Sequence, residues 1–155
     1  MEENIIDSIW TVLIGMTPIL EIRGAIPYGL AQGLPLWEAF FWGFIGNLLP
    51  IPIIILFTRH VLNWLRRFHR FEKMIDWLEQ KAHMKGRVVN RYKTLGLFVL
   101  VAIPLPGTGA WTGGLVAAVF DIRMRNAMPA ISLGVLAAGV IVMLVSVSAI
   151  LTFGG

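Results

Sequence analysis

Residues 21–29 read E-I-R-G-A-I-P-Y-G, a carboxylate and a guanidinium set two positions apart in an otherwise apolar stretch. The thirteen residues before Glu21 (Ser8 to Leu20) and the fourteen after Arg23 (Gly24 to Trp37) carry no charge. A Gly/Pro break coincides with the charges. How these nine residues are read decides whether the first part of the chain crosses a membrane or turns back inside it.

The surroundings are those of a membrane protein. The chain has 155 residues, so one domain is the default, and 57% of them are hydrophobic. Its mean hydropathy is +0.75, far above that of a soluble domain. Residues 39–58, 94–120 and 126–155 contain no Asp, Glu, Lys or Arg. At a helical rise of about 1.5 Å, roughly 20 residues cross a 30 Å hydrocarbon layer, so each block is long enough to span. The absence of cysteine excludes disulfides, thiol chemistry and Cys-based metal sites. No secretory signal peptide is expected, because Glu2, Glu3 and Asp7 stand where a basic leader would have its cations.

The net charge is +4, and its placement is informative. Ten of the thirteen basic residues lie between Arg59 and Lys93, opposed there only by Glu72, Asp76 and Glu79. Trp64, Phe68, Phe71, Ile75, Leu78 and Ala82 recur at steps of three and four and form one apolar stripe. Such a helix suits the membrane surface, with Arg66, Arg67, Arg70 and Lys73 near lipid headgroups. The competing reading is a solvated helix packed on the rest of the protein. A basic loop beside membrane spans needs no nucleic acid to explain it.

Five segments follow: an interrupted apolar stretch (5–34), a transmembrane helix (35–58), the basic segment (59–93), a second interrupted stretch (94–120) and a last transmembrane helix (126–151). If both interrupted stretches crossed the bilayer, 59–93 and D-I-R-M-R (121–125) would face opposite sides, against the positive-inside tendency. If each instead enters, turns at its break and returns, both basic blocks are cytoplasmic. Glu2, Glu3, Asp7 and Glu38 are then outside, together with the termini. Thr94 to Ile103, ten residues or about 15 Å of helix, is half a bilayer. G-A-x-x-x-G-L occurs at Gly24–Leu30 and again at Gly109–Leu115. The expectation is an all-α membrane protein of the plasma (inner) membrane. It is an inverted repeat of re-entrant helical hairpin plus transmembrane helix, with a cytoplasmic amphipathic basic helix between the repeats.

That layout puts Glu21, Arg23, Gly24 and Pro27 at a hairpin tip in mid-membrane. A charge there costs about 2.5–3.5 kcal/mol on insertion scales and must face protein or water. Broken backbone at that depth must do the same. Glu21 then reads as a proton-titrating carboxylate, and Arg23 as its partner and a grip for an anionic substrate, since guanidinium can bond phosphate bidentately. The competing reading is a structural ion pair. In the second tip, Pro104 and Pro106 free the carbonyls of Leu100 and Ala102. Gly107, Thr108 and Gly109 could aim successive N–H groups at one anion, with hydroxyls from Thr108 and Thr112. Asn47 precedes Pro50 and Pro52, which break the first span. Ala39, Gly43 and Asn47 form one small-residue face and Ala130, Gly134 and Ala138 another, packing within the chain or across a homodimer. His60, His69 and His83 make no metal site, and no cofactor is expected. No catalytic constellation is visible, so an enzyme is not expected either.

E-I-R-G-A-I-P-Y-G, G-N-L-L-P-I-P (46–52) and A-I-P-L-P-G-T-G-A-W-T-G (102–113), in that order, resemble the small multidrug export protein family. The layout also looks like the wider DedA-type superfamily, whose members carry two re-entrant hairpins and in some cases move polyprenyl phosphate or phospholipid. That resemblance implies an acidic residue at the first hairpin, a position Glu21 fits, and arginines at the second, of which Pro104–Gly114 has none. The function expected is a membrane transporter of an amphiphilic or lipid-phosphate substrate, with proton coupling through Glu21. Drug efflux is the alternative cargo, and a non-transporting membrane organiser or lipid scaffold acting through 59–93 is the alternative role.

Overall fold

The computed structural model describes residues 2–65, 86–105 and 107–153. They form seven helices and no strand: α1 (Glu2–Gly15), α2 (Glu21–Ala31), α3 (Leu36–Leu48), α4 (Ile51–Leu65), α5 (Gly86–Ala102), α6 (Ala110–Val119) and α7 (Met124–Phe153). Arg66, Arg67, Arg70 and Lys73, most of the apolar stripe, His69, His83 and Pro106 lie outside the described residues.

Two helical runs are long and apolar enough to cross a membrane, Leu36–Leu65 and Met124–Thr152. The first joins α3 to α4 through Leu49 and Pro50, so it is broken where N-L-L-P-I-P foretold, and it continues past Thr58 to Leu65. Only 39% and 33% of the most apolar windows of these runs are buried, unlike the core helix of a soluble domain. Ile53, Leu56 and Phe57 on α4 and Leu133, Leu136, Val140 and Leu144 on α7 point outward, as do Ile5, Ile9 and Leu13 on α1. An outer belt this apolar is a lipid-facing surface, and the protein is a membrane protein.

The remaining helices form two short pairs. α1 and α2 pack on each other and α1 on α3, while α5 and α6 pack on each other and α5 on α7. Each second arm also crosses over: α2 lies against α7, and α6 against α4. The buried core at these crossings includes Ile22, Ile26, Ile51, Ile55, Leu97, Val101, Ile131 and Val135. In lipid such contacts gain little from leaving water, so close approach of backbones matters more. Gly46 provides it. A Cβ there would overlap the Val12 carbonyl oxygen and stand 2.9 Å from Val12 C, so α1 and α3 meet with no side chain between them. Both small-residue faces are used within the chain, Gly43 against Ala25 and Gly134 against Val101.

One break is displaced from its expected place. The first apolar stretch turns at residues 16–20 and not at Glu21–Pro27. Pro18 accounts for this: it disfavours helix at Thr17, and the Thr17 hydroxyl donates to Ile14 O at 2.7 Å, satisfying a terminal carbonyl of α1. Pro27 sits inside α2, where the burial of Ala25 and Ile26 before it and Gly29 after it holds the helix together. The second break, between Ala102 at the end of α5 and Ala110 at the start of α6, coincides with P-L-P-G-T-G.

The second half of α4 meets the α6–α7 connection. Arg59 donates to the Ile122 carbonyl and lies 3.6 Å from Asp121 Oδ1. The end of the first long run and residues 121–122 therefore occupy the same end of the molecule.

Candidate functional site

The two breaks meet, and they meet through the charges that opened the sequence. Glu21 is the first residue of α2 and is held at φ 50°, a left-handed conformation that a non-glycine residue adopts only when its surroundings insist. What insists is the start of α6. The Glu21 carboxylate, 4% exposed, accepts the Trp111 N–H on Oε1 at 3.1 Å. A helix N-terminus has N–H groups without intrahelical partners and a positive dipole end, so a carboxylate fits there.

Gly109 makes room for it. A Cβ at 109 would stand 2.6 Å from the Glu21 carboxyl carbon and nearer still to Oε2, and its φ of 142° is open chiefly to glycine. The Trp111 indole fastens the same contact from the other side, its Nε1–H donating to Met16 O in the first turn at 3.1 Å.

Arg23, in the first turn of α2, completes the exchange in the opposite sense. Its guanidinium donates to the carbonyls of Leu105 and Thr108 and lies 3.4 Å from Thr108 Oγ1. Its distance to Glu21 Oε2 is 3.7 Å, an ion pair without a tight hydrogen bond. The first tip thus gives an anion to the N–H end of α6 and a cation to the carbonyl-rich turn before it. The two tips are cross-clasped, and the charges of the pair sum to zero.

The N–H nest expected at Gly107–Gly109 is not what the turn presents. Thr108 N–H is spent on Leu105 O at 3.1 Å. The Thr108 hydroxyl lies 2.7 Å from Ile103 O and accepts the Leu105 N–H at 3.2 Å. The Thr112 hydroxyl donates to Gly107 O at 3.0 Å. These hydroxyls brace the turn so that its carbonyls face Arg23.

Of the expected residues, Glu21, Arg23, Thr108 and Gly109 come together, with Gly107 and Thr112 bracing them. Gly24 lies on α2 beside them, where its N–H donates to Leu20 O, and any Cβ would press on Leu20. Pro104 is half-buried in the second turn, and Pro27 is exposed a turn further along α2. Asn47 is buried on α3 near Gly15, and its Oδ1 has no hydrogen-bond partner. Arg23 Nε is likewise buried and unpartnered. Sequence reading missed Trp111, Met16 and Leu105. An indole N–H at membrane depth needs an acceptor, and asking where Trp111 finds one was the available signal.

Residues 21–141 match the model of a protein family described as "Putative small multi-drug export protein". No curated protein and no solved structure matches the chain. The matched region begins at Glu21 and so holds both partners of the clasp.

Proposed function

The chain belongs to the small multidrug export protein family, and from that premise we propose that it is a multi-pass transporter of the inner membrane, working through the clasped tips. Each short helix pair is a re-entrant hairpin, the two enter from opposite faces, and hairpin plus long helix forms an inverted repeat. Supporting this, Arg59 touches Asp121 and Ile122, whereas four plain crossings would separate them by the thickness of the bilayer. Residues 59–93 and 121–125 are then cytoplasmic.

The observation that carries the mechanism is the pair of buried Glu21 and half-buried Arg23, bonded across to the second tip. Intramembrane charges of this kind mark substrate and proton pathways. Arg23 holds carbonyl oxygens in the resting state, and a phosphate or carboxylate group on an amphiphilic substrate is a stronger acceptor for the same fork. When such a group draws Arg23 away, Glu21 loses a neighbouring cation and takes up a proton; when the clasp reforms, it releases one. Substrate and proton movement are thereby linked. An amphiphilic or lipid-phosphate cargo suits this site better than a cationic drug, because the guanidinium is the more exposed member of the pair.

Purified protein in liposomes, assayed with a fluorescent lipid phosphate and with ethidium, tests the reading. Wild type moves the lipid phosphate faster under a proton gradient. Glu21→Gln, which keeps an acceptor for Trp111, removes the gradient dependence, and Arg23→Lys lowers lipid-phosphate flux at least tenfold. Unchanged flux in both variants makes the pair a structural pin and leaves the transporter without a site.

A further inference from the structure

Away from the clasp, a groove runs between α5 and α6. Lys93, Gly96 and Leu100 line it on one side, and Val116, Phe120 and Ile122 on the other. Its lining is apolar except at one end, where Lys93 Nζ lies 5.9 Å from the centroid of the Phe120 ring. Lys93 is the last charge before the uncharged block 94–120, and Asp121 is the first after it. The charged end of the groove therefore lies where apolar chain gives way to charged chain, the level of the lipid headgroups.

Among the described residues, further cations lie near that end. Arg59 is bonded to Ile122, a groove residue, and Arg123 and Arg125 are exposed just beyond it. Among the described residues, four cations gather there against one acid, Asp121. The helices forming the groove carry Leu95, Val99 and Leu115 on their exposed faces, so it adjoins hydrocarbon and not bulk water.

We propose that this groove is a binding site for one anionic phospholipid, with an acyl chain along Gly96, Leu100 and Val116 and the phosphate beside Lys93. Charge and polarity select this occupant. An apolar slot in a bilayer is filled by a lipid tail, and the cationic end favours a headgroup of net negative charge over a zwitterionic one. The Lys93 ammonium, held over the Phe120 ring at the mouth of the groove, faces the phosphate from the boundary level that a snorkelling lysine occupies. The site is independent of the transported cargo, and its lining shares no residue with the clasp.

Native mass spectrometry of the purified chain tests it, with phosphatidylglycerol or phosphatidylcholine of identical acyl chains added. The readout is the last lipid retained as collision energy rises. Wild type is expected to retain phosphatidylglycerol about fivefold better, the factor a single cation near an anionic headgroup supplies. Lys93→Gln removes the preference, and Lys93→Arg restores it. Gly96→Leu fills the slot and reduces retention of both lipids. A Cβ at 96 meets nothing within 4 Å, so that variant keeps its fold, as circular dichroism and thermal unfolding will show.

Equal retention of the two lipids by wild type overturns the proposal, as does an unchanged preference in Lys93→Gln. Displacement of the lipid by inorganic phosphate alone would mean a free-anion site. Loss of dimer mass in Gly96→Leu with lipid retention intact would mean that a second copy of the chain occupies the groove. Either result also overturns it.

Discussion

Glu21 and Arg23 stand out in the sequence because nothing near them is charged, and both prove central to the meeting of the two breaks. Their partners were not legible, for a plain reason. Trp111 N–H and the carbonyls of Leu105 and Thr108 are backbone groups, and every residue has those, so no letter in the sequence identifies them. Gly109 is the exception, because only its missing Cβ admits the carboxylate. Gly107→Ala, with open space around it but a positive φ of 82°, should destabilise by about 1–2 kcal/mol from backbone strain alone. Gly109→Ala adds expulsion of the carboxylate, which leaves Arg23 without its counter-charge, and should lose about 3–5 kcal/mol. Thermal unfolding of both variants in one detergent checks the ordering; equal losses would mean the carboxylate does not occupy that space.

At the level of helices, charge-free blocks and Gly/Pro clusters marked the long runs and the second break well. The first break was misplaced because two prolines nine residues apart behave oppositely. Pro18 terminates a helix, whereas Pro27 is carried inside one whose flanks are buried, and burial is a tertiary property that local sequence does not announce. The same dependence on neighbours governs glycine. Gly46→Ala should force α1 from α3 and destabilise by about 1–3 kcal/mol, as overpacking does. Gly96→Ala, on an open face, should stabilise slightly through helix propensity, by up to about 1 kcal/mol. Parallel melts of the two variants decide whether the α1–α3 contact is as tight as described.

Across the whole molecule, the proposed pair of half-depth hairpins makes a topological prediction that four crossings do not share. The chain has no cysteine of its own, so single introduced thiols report cleanly. Asn4→Cys should react with a membrane-impermeant maleimide on intact cells, and Arg125→Cys only after permeabilisation. Surface labelling at position 125 would rule the hairpin arrangement out. The cross-clasp also has a consequence for biosynthesis. Its partners are separated by 82 to 90 positions, so the ribosome delivers the acid and the base long before anything exists to receive them. At about 5–20 residues per second, the nascent chain waits roughly 5–20 s with both charges unmet. Until then they have only each other, or the aqueous interior of the insertion machinery, and a chain truncated before Leu105 should be recognised and degraded as unfinished.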